Sequence, residues 1–400
     1  LLVGSALSAC GGDWPAWRGP TGQGHCDEKN LPLTWSDTEN VKWKVALEHQ
    51  GNSTPIIFGD RIYLTQAHKD GVVRSLICLN RADGKSLWQR DVPYDQKERN
   101  WNPSWYCNAS PVTDGKLIVV SFGSAGMYCY DTAGKEIWKR TDLGKWEHAF
   151  GNGSSPVLWG DLAILWCGPN EKEGRNFLLA VDKTTGKTVW EHEEKAGSWG
   201  TPLVTNVNGK DQLLLSTTPY LKGFDPQSGK ELWLCNGLNK YVYTSPIVGN
   251  GMAVAMSGYT GAALAVRLGG TGDITADRLW LHEKNIQRVG SGLIVGEHAY
   301  IVEENGVPHC YELKSGEEQW KIEKRPNAGV TWGSMVHADG RLYVLMRNGA
   351  TLVFAANPKY ELLATNMLLP RESTYSSLAI SNGEIYIRTF QHLWCISAKR

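Results

Sequence analysis

One pattern recurs along the chain and limits what it can fold into. Ala180-Val181-Asp182-Lys183-Thr184-Thr185-Gly186-Lys187-Thr188-Val189-Trp190 reads as an apolar strand, a polar turn closed by glycine, and a short strand ending in tryptophan. Cys78 to Trp88, Cys129 to Trp138 (one residue shorter), Gly223 to Trp233 and Cys310 to Trp320 repeat it. Closing tryptophans fall at Trp43, Trp88, Trp138, Trp190, Trp233, Trp280 and Trp320. Their period of roughly 40–50 residues is the spacing of propeller blades rather than of helical solenoids.

Each unit also has a recognisable opening. Asn52-Ser53-Thr54-Pro55-Ile56, Asn108-Ala109-Ser110-Pro111-Val112, Gly153-Ser154-Ser155-Pro156-Val157, Gly200-Thr201-Pro202-Leu203 and Thr244-Ser245-Pro246-Ile247 are five of them, and Ser291-Gly292-Leu293, Gly333-Ser334-Met335 and Ser376-Ser377-Leu378 complete eight. Every opening leads to a hairpin signal such as Gly59-Asp60, Asn208-Gly209 or Asn382-Gly383 between β-rich runs. Four antiparallel strands per unit follow. The eighth unit stops at Leu393-Trp394-Cys395-Ile396, and its missing fourth strand is Val41 to Val45 at the other end of the chain. Interlocked ends leave no open sheet edge. The expected fold is therefore all-β, an eight-bladed β-propeller whose last blade is closed by the N-terminal strand. The seventh unit lacks its tryptophan and carries Leu362-Leu363 near that place.

Outside the repeats, residues 1–10 read as the remnant of a signal peptide, residues 11–34 as an arm, and 35–400 as one propeller domain. Leu7-Ser8-Ala9-Cys10 has the form of a bacterial lipobox, with Cys10 the lipidated residue. The arm segment Asp13-Trp14-Pro15-Ala16-Trp17-Arg18-Gly19-Pro20 forbids a regular element, and its two tryptophans are expected to pack on the body, with ligand contact as the alternative. Lys plus Arg and Asp plus Glu both number 41, so the chain lacks the basic excess that phosphate backbones demand, and no nucleic-acid partner is expected. No apolar run is long enough to span a bilayer. Cys78, Cys129, Cys310 and Cys395 share one repeat position and read as small buried hydrophobes, whereas a pair among Cys26, Cys107, Cys167 and Cys235 is open.

These residues resemble the pyrroloquinoline-quinone-like (PQQ-like) eight-bladed propellers, whose tryptophan-docking motif is Ala-x-Asp-x-x-Thr-Gly-x-x-x-Trp. Ala180, Asp182, Thr185, Gly186 and Trp190 match it in full, Asp225, Gly229 and Trp233 in part, and the resemblance runs from Trp35 to Ile396. It implies that the motif docks one blade on the next. It also implies either of two roles, since the fold serves quinoprotein dehydrogenases and non-catalytic members such as the propeller lipoprotein of the outer-membrane β-barrel assembly machinery. The Trp14 to Pro20 segment looks like the opening of exported propeller proteins of planctomycete-type bacteria.

Residues just before each first strand point to the axis, on the face away from the docking turns. A funnel lined by Trp105, Asn108, His148, Asn152, Trp199, Tyr243, Arg288 and Trp332 is the expected ligand site. His148 has no identifiable paired acid and reads as structural. Glu303, Glu304 and Asn305 read as an exposed acidic turn, with a metal site as the alternative. The preferred reading is a non-catalytic binding or scaffold propeller, exported, periplasmic and held to the outer membrane only by a lipid. Its partner would be a protein or peptide, or a small ligand in the funnel; no catalytic residue, metal or cofactor is expected, and the oligomeric state is open. The alternative is an oxidoreductase holding pyrroloquinoline quinone and calcium and oxidising an alcohol or sugar. Against it stand the absence of adjacent cysteines, the short chain and the lack of a calcium-ligand set or catalytic aspartate. Polysaccharide recognition is a third reading that suits the aromatic ring without a specific motif.

Overall fold

The structure, a computed structural model, describes residues 12–398 apart from 69, 97, 99–105, 171–173, 285–288, 323–325 and 327–328. Eight antiparallel sheets form the blades of a propeller. Their first, axial strands are Ile56–Phe58, Val112–Thr113, Val157–Trp159, Leu203–Val207, Ile247–Gly249, Leu293–Val295, Val336–Ala338 and Ala379–Ser381, in blades 1 to 8. Asn208-Gly209, Asn250-Gly251, Asp339-Gly340 and Asn382-Gly383 have positive φ at both turn residues, the primed geometry that matches strand twist. In blade 6 the fourth edge is a bridge from Tyr311 to Glu318 rather than a strand. Blade 8 closes as expected: Val41–Ala46 runs antiparallel to His392–Ser397, with Trp43 opposite Cys395.

One carboxylate secures that seam. Glu384 of blade 8 accepts from Nζ of Lys42 at 2.6 Å, from Nε and Nη2 of Arg81 in blade 1 at 3.0 and 2.9 Å, and from the hydroxyl of Tyr386 at 2.5 Å. Burial pushes the Glu384 pKa up, but the bonds from Lys42, Tyr386 and Arg81 outweigh it and hold the pKa below its ordinary value.

The docking motif works through two contacts. Six tryptophans donate their indole N–H to a turn carbonyl of the next blade: Trp43 to Arg81, Trp88 to Thr132, Trp138 to Lys183, Trp190 to Pro226, Trp280 to Leu313 and Trp320 to Asn357, at 2.8–3.1 Å. In five of the six the ring then lies against the turn glycine, whereas the turn that receives Trp320 has none. At Gly186, φ is +71° and an added Cβ would stand 2.7 Å from Cδ2 of Trp138, so geometry and packing both require glycine. Asp182 shapes this turn by accepting the amides of Thr184 and Thr185 at 3.0 and 2.8 Å. Across the sheet each such tryptophan faces a small buried residue: Cys78 opposite Trp88, Cys129 opposite Trp138, Ala180 opposite Trp190. The eight described cysteines are all free, so Cys26, Cys107, Cys167 and Cys235 contain no pair.

Trp233 departs from the expectation that it docks on the next blade. Blade 5 replaces the docking turn with a longer excursion, and Gly272–Asp273 of that excursion adds in parallel to Trp233-Leu234. Trp233 folds back over Gly223, where a Cβ would lie 2.2 Å from its Nε1, and donates to Oε1 of Gln212 in its own blade at 2.8 Å. The joint without a tryptophan, between blades 7 and 8, is filled from the arm. Trp35 is buried in that core beside Leu31, and its amide donates to Oδ1 of Asn366 at 2.9 Å.

The arm makes a circuit beneath the axial strands. Trp14 exchanges two backbone bonds of 2.8 Å with Ile57 in blade 1, the carbonyl of Pro15 accepts from Thr113 in blade 2, Oε1 of Gln23 accepts from Val248 in blade 5, Gly24 accepts from His337 in blade 7, and Glu28 accepts the turn amides of Asn382 and Gly383 in blade 8. Arg18, at φ +63° and buried, donates from Nη2 to the carbonyls of Gln23 and of Gly292 in blade 6.

At the axis a second device joins the blades. The Ser or Thr of each opening accepts the backbone N–H of its counterpart in the preceding blade. Thr54 donates to Ser110, Ser110 to Ser155, Ser155 to Thr201, Thr201 to Ser245, Ser245 to Ser291, Ser291 to Ser334, Ser334 to Ser377, and Ser377 back to Thr54, at 2.8–3.1 Å. The ring is closed and includes all eight blades.

The seam carries a pH signature. Because the folded-state pKa of Glu384 is depressed, its contribution is complete above the ordinary glutamate value of about 4.3 and is lost as pH falls through the folded value. Glu384→Gln is expected to lower unfolding stability at pH 7 by about 1–3 kcal/mol, a buried-pair loss reduced by partial exposure. The gap to wild type narrows as pH falls below about 4.3 and closes below the depressed folded value, where the wild-type carboxylate is protonated too. Urea titrations across that range measure it.

Candidate functional site

Above the hydroxyl ring, on the face away from the docking turns, the axial channel widens into a cavity of about 190 Å³. Its wall is built in storeys. The lowest is the hydroxyl ring, of which Thr54, Thr201, Ser291, Ser334 and Ser377 line the cavity. Next come three amides: Nδ2 of Asn52 donates to Oδ1 of Asn108 at 2.7 Å, and Nδ2 of Asn108 donates to the carbonyl of Asn152 at 2.9 Å. Aromatic rings form the upper wall.

These rings fall in two groups. In blades 3 to 5, Trp199 stands 4.6 Å from Tyr243, and Phe150, Tyr241 and Tyr259 pack around them with centroids 5.3–6.5 Å apart. The indole N–H of Trp199 donates to Gly151 at 2.9 Å, which fixes the ring. In blades 6 to 8, Trp332 stacks on Tyr375 at 4.6 Å. The guanidinium of Arg347 lies 4.6 Å from both centroids and donates to the Tyr375 hydroxyl at 2.6 Å, while Trp332 donates to Oε1 of Glu304 at 2.8 Å.

A second cavity, of about 460 Å³, lies on the opposite face between the arm and the axial strands of blades 2 to 4. Trp17 and Thr201 line both cavities, so Trp17 is a septum between them.

Of the residues expected in the funnel, Asn108, Asn152, Trp199, Tyr243 and Trp332 line one cavity together. His148 sits behind the wall. It is buried, packs edge-on to Trp199 at 4.6 Å, and its Nδ1 accepts the amide of Phe150 at 3.1 Å, which makes it a support for the aromatic group. Trp105, Arg288 and the lipobox Cys10 lie outside the described residues. The acidic turn is committed internally: Glu303 pairs with Nε2 of His309 at 3.0 Å, Glu304 holds Trp332, and Oδ1 of Asn305 accepts the amide of Val307 at 3.2 Å.

Sequence reasoning missed Asn52 and Tyr375 and gave Trp17 mainly a packing role. Asn52 carried a signal, because it stands three residues before its proline just as Asn108 does. Tyr375 carried one too, since it stands two residues before the hydroxyl of Ser377 just as Trp199, Tyr243 and Trp332 stand before Thr201, Ser245 and Ser334. The one described group of ligand-type side chains close enough to share a metal is His192, Glu194 and Glu231. Lys222 already occupies it, with Nζ 2.7 and 2.9 Å from Glu194 and Glu231.

The lining tests whether quinone and calcium suit the funnel. Among the described residues that line it there is no Asp, Glu, Lys or Arg. A hard divalent cation needs carboxylate or several carbonyl oxygens, and a quinone tricarboxylate needs cationic partners. The amide and hydroxyl set does not fit that pair.

Comparison with known proteins finds similarity to members of both branches of the fold. Its curated matches include the quinoprotein alcohol dehydrogenase PedE of Pseudomonas putida, 45% identical over 58 residues, and a quinoprotein ethanol dehydrogenase of the same species, 43% identical over 58 residues. Each match covers 14% of this chain and only 9% of that relative's length. BamB from Moraxella catarrhalis superposes with a TM-score of 0.63 at 14% identity, over 89% of this chain and 97% of that one. A europium-containing methanol dehydrogenase superposes with a TM-score of 0.70 at 10% identity, over 98% and 99%. At such identities the structures share the fold alone. No helix among the described residues is long and apolar enough to cross a membrane. The family model described as outer membrane protein assembly factor BamB matches residues 74–322, more than half of the chain, and the chain belongs to that family.

Proposed function

We propose that this chain is a non-catalytic binding propeller, exported and held at the outer membrane by a lipid on Cys10, with the axial funnel as its capture site. The observation that carries the reading is the funnel's wall. It offers aromatic faces, amides and hydroxyls, and its described lining holds no acid, base or nucleophile positioned for proton transfer or covalent chemistry. Family membership supports export and the periplasmic face of the outer membrane as the site of action. The outer strands offer a second means of engaging a protein partner. Leu87, Ile137 and Val189 each expose 41–48% of their surface beside a docking tryptophan, and blade 4 already accepts an added strand at its outer edge.

A second reading, a quinone-dependent oxidoreductase acting on an alcohol or sugar, is favoured by the 58-residue match at 45% identity to a quinoprotein alcohol dehydrogenase. It requires ligands that the described funnel wall does not supply.

Titration of the purified protein with pyrroloquinoline quinone and calcium, followed by absorbance and by dye-linked alcohol oxidation, separates the two. The binding reading expects neither stoichiometric quinone uptake nor oxidation. Tight uptake with turnover would establish the enzyme instead. The lipid anchor has its own test: Cys10→Ser expressed with its native leader is expected to move the protein from the membrane to the soluble periplasmic fraction. Unchanged membrane association would contradict lipidation.

A further inference from the structure

We infer that the funnel takes an uncharged pyranose, the terminal sugar ring of a neutral glycan. The inference rests on the reading of the funnel as a non-catalytic binding site and names its ligand class.

Size comes first. A cavity of about 190 Å³ is smaller than the roughly 300–1,000 Å³ of drug-sized sites, so it takes one ring-sized group rather than a folded partner or a polycycle. Charge comes second. With no Asp, Glu, His, Lys or Arg among the described lining residues, a charged ligand would lose its hydration without gaining a counter-charge from them. Arg347, the guanidinium beside the wall, already lies against both Trp332 and Tyr375 and is bonded to the Tyr375 hydroxyl.

The polar groups then select the ligand's chemistry. The hydroxyls of Thr201, Ser291, Ser334 and Ser377 each accept one backbone N–H, and none donates a bond among the described residues. Each therefore keeps a proton for an acceptor in the channel. Oδ1 of Asn52 meets no donor. Such a wall suits a ligand whose own groups both donate and accept, as sugar hydroxyls do. The aromatic storey supplies the complement, because the C–H faces of a pyranose pack on indole and phenol faces such as those of Trp199, Tyr243 and Trp332. An extended peptide added as a strand is disfavoured at this level, since the eight axial N–H groups it would need are consumed by the ring.

The test uses the full chain and ligand-observed saturation-transfer NMR with isothermal titration. The probes are methyl β-D-glucopyranoside, N-acetylglucosamine, methyl β-D-galactopyranoside and chitotriose, with glucuronic acid as the charged comparator. At least one neutral probe is expected to bind with millimolar affinity or better, and glucuronic acid is not. Trp199→Ala should weaken that binding about tenfold or more, equivalent to about 1.4 kcal/mol. Asn52→Asp, which keeps the side-chain shape and adds a charge, should do the same, and Lys210→Ala beside the exposed hairpin turn of blade 4 should leave it unchanged. Equal binding of glucuronic acid overturns the neutral class. Binding of no saccharide overturns the proposal while leaving the non-catalytic reading to the quinone titration, which fails separately if the quinone binds and turns over.

Discussion

The closed ring of hydroxyl-to-amide hydrogen bonds is the constraint on which the rest of this molecule depends. A propeller's blades are separate sheets, and no backbone ladder joins one axial strand to the next. Here each axial strand donates its N–H to a Ser or Thr of its neighbour, and the eighth donates to the first. Buried amides without partners each cost about 1–3 kcal/mol, so the ring satisfies groups that the narrow axis would otherwise strand. It also fixes the diameter of the channel, and with it the funnel floor. The tryptophan docks perform the matching task at the periphery. The closed hydroxyl ring at the axis and the six docks at the periphery hold the blades at inner and outer edges, and the Glu384 seam performs the same work where the chain ends meet.

Much of this architecture was legible in the sequence because it is repeated. The Asp182-to-Trp190 pattern and the hairpin turns recur often enough that the strand count, the period and the interlocked ends could be read directly. The departures were not legible, and each has a physical cause. Trp233 has the sequence of a docking tryptophan, but docking needs a partner turn, and blade 5 has a longer excursion in its place. The course of the arm was hidden because a Pro- and Gly-rich segment has no periodicity. Its conformation is set entirely by the edges it meets, from Ile57 to Gly383. The hydroxyl ring was present as Ser/Thr before Pro in five openings, yet such a pair reads locally as the start of a strand. Only the closed circle shows that the side chain acts on the next blade.

The candidate site was legible in the same uneven way. Asn108, Asn152, Trp199, Tyr243 and Trp332 could be grouped because they precede first strands, which the fold directs to one axis. His148 shares that neighbourhood but spends its ring on Trp199 and Phe150. Trp17 belongs to the arm rather than to any repeat, so nothing in the repeat pattern could assign it to the wall. Its position makes the arm part of the site, and the funnel is complete only when the arm lies in place. The quinoprotein structures the chain superposes on share this fold. The shared scaffold supplies a channel, and the residues placed around that channel decide what enters it.

The ring's role is open to direct measurement by native-state hydrogen exchange of the amides of Thr54, Ser110, Ser155, Thr201, Ser245, Ser291, Ser334 and Ser377, in wild type and in Ser155→Ala. If the ring holds the blades together, all eight amides exchange only through global unfolding in wild type. In Ser155→Ala the amide of Ser110, which loses its acceptor, then shows the largest fall in protection, with stability lower by about 1–2 kcal/mol. Rapid exchange of these amides in wild type, or unchanged protection of Ser110 in the variant, would contradict the account.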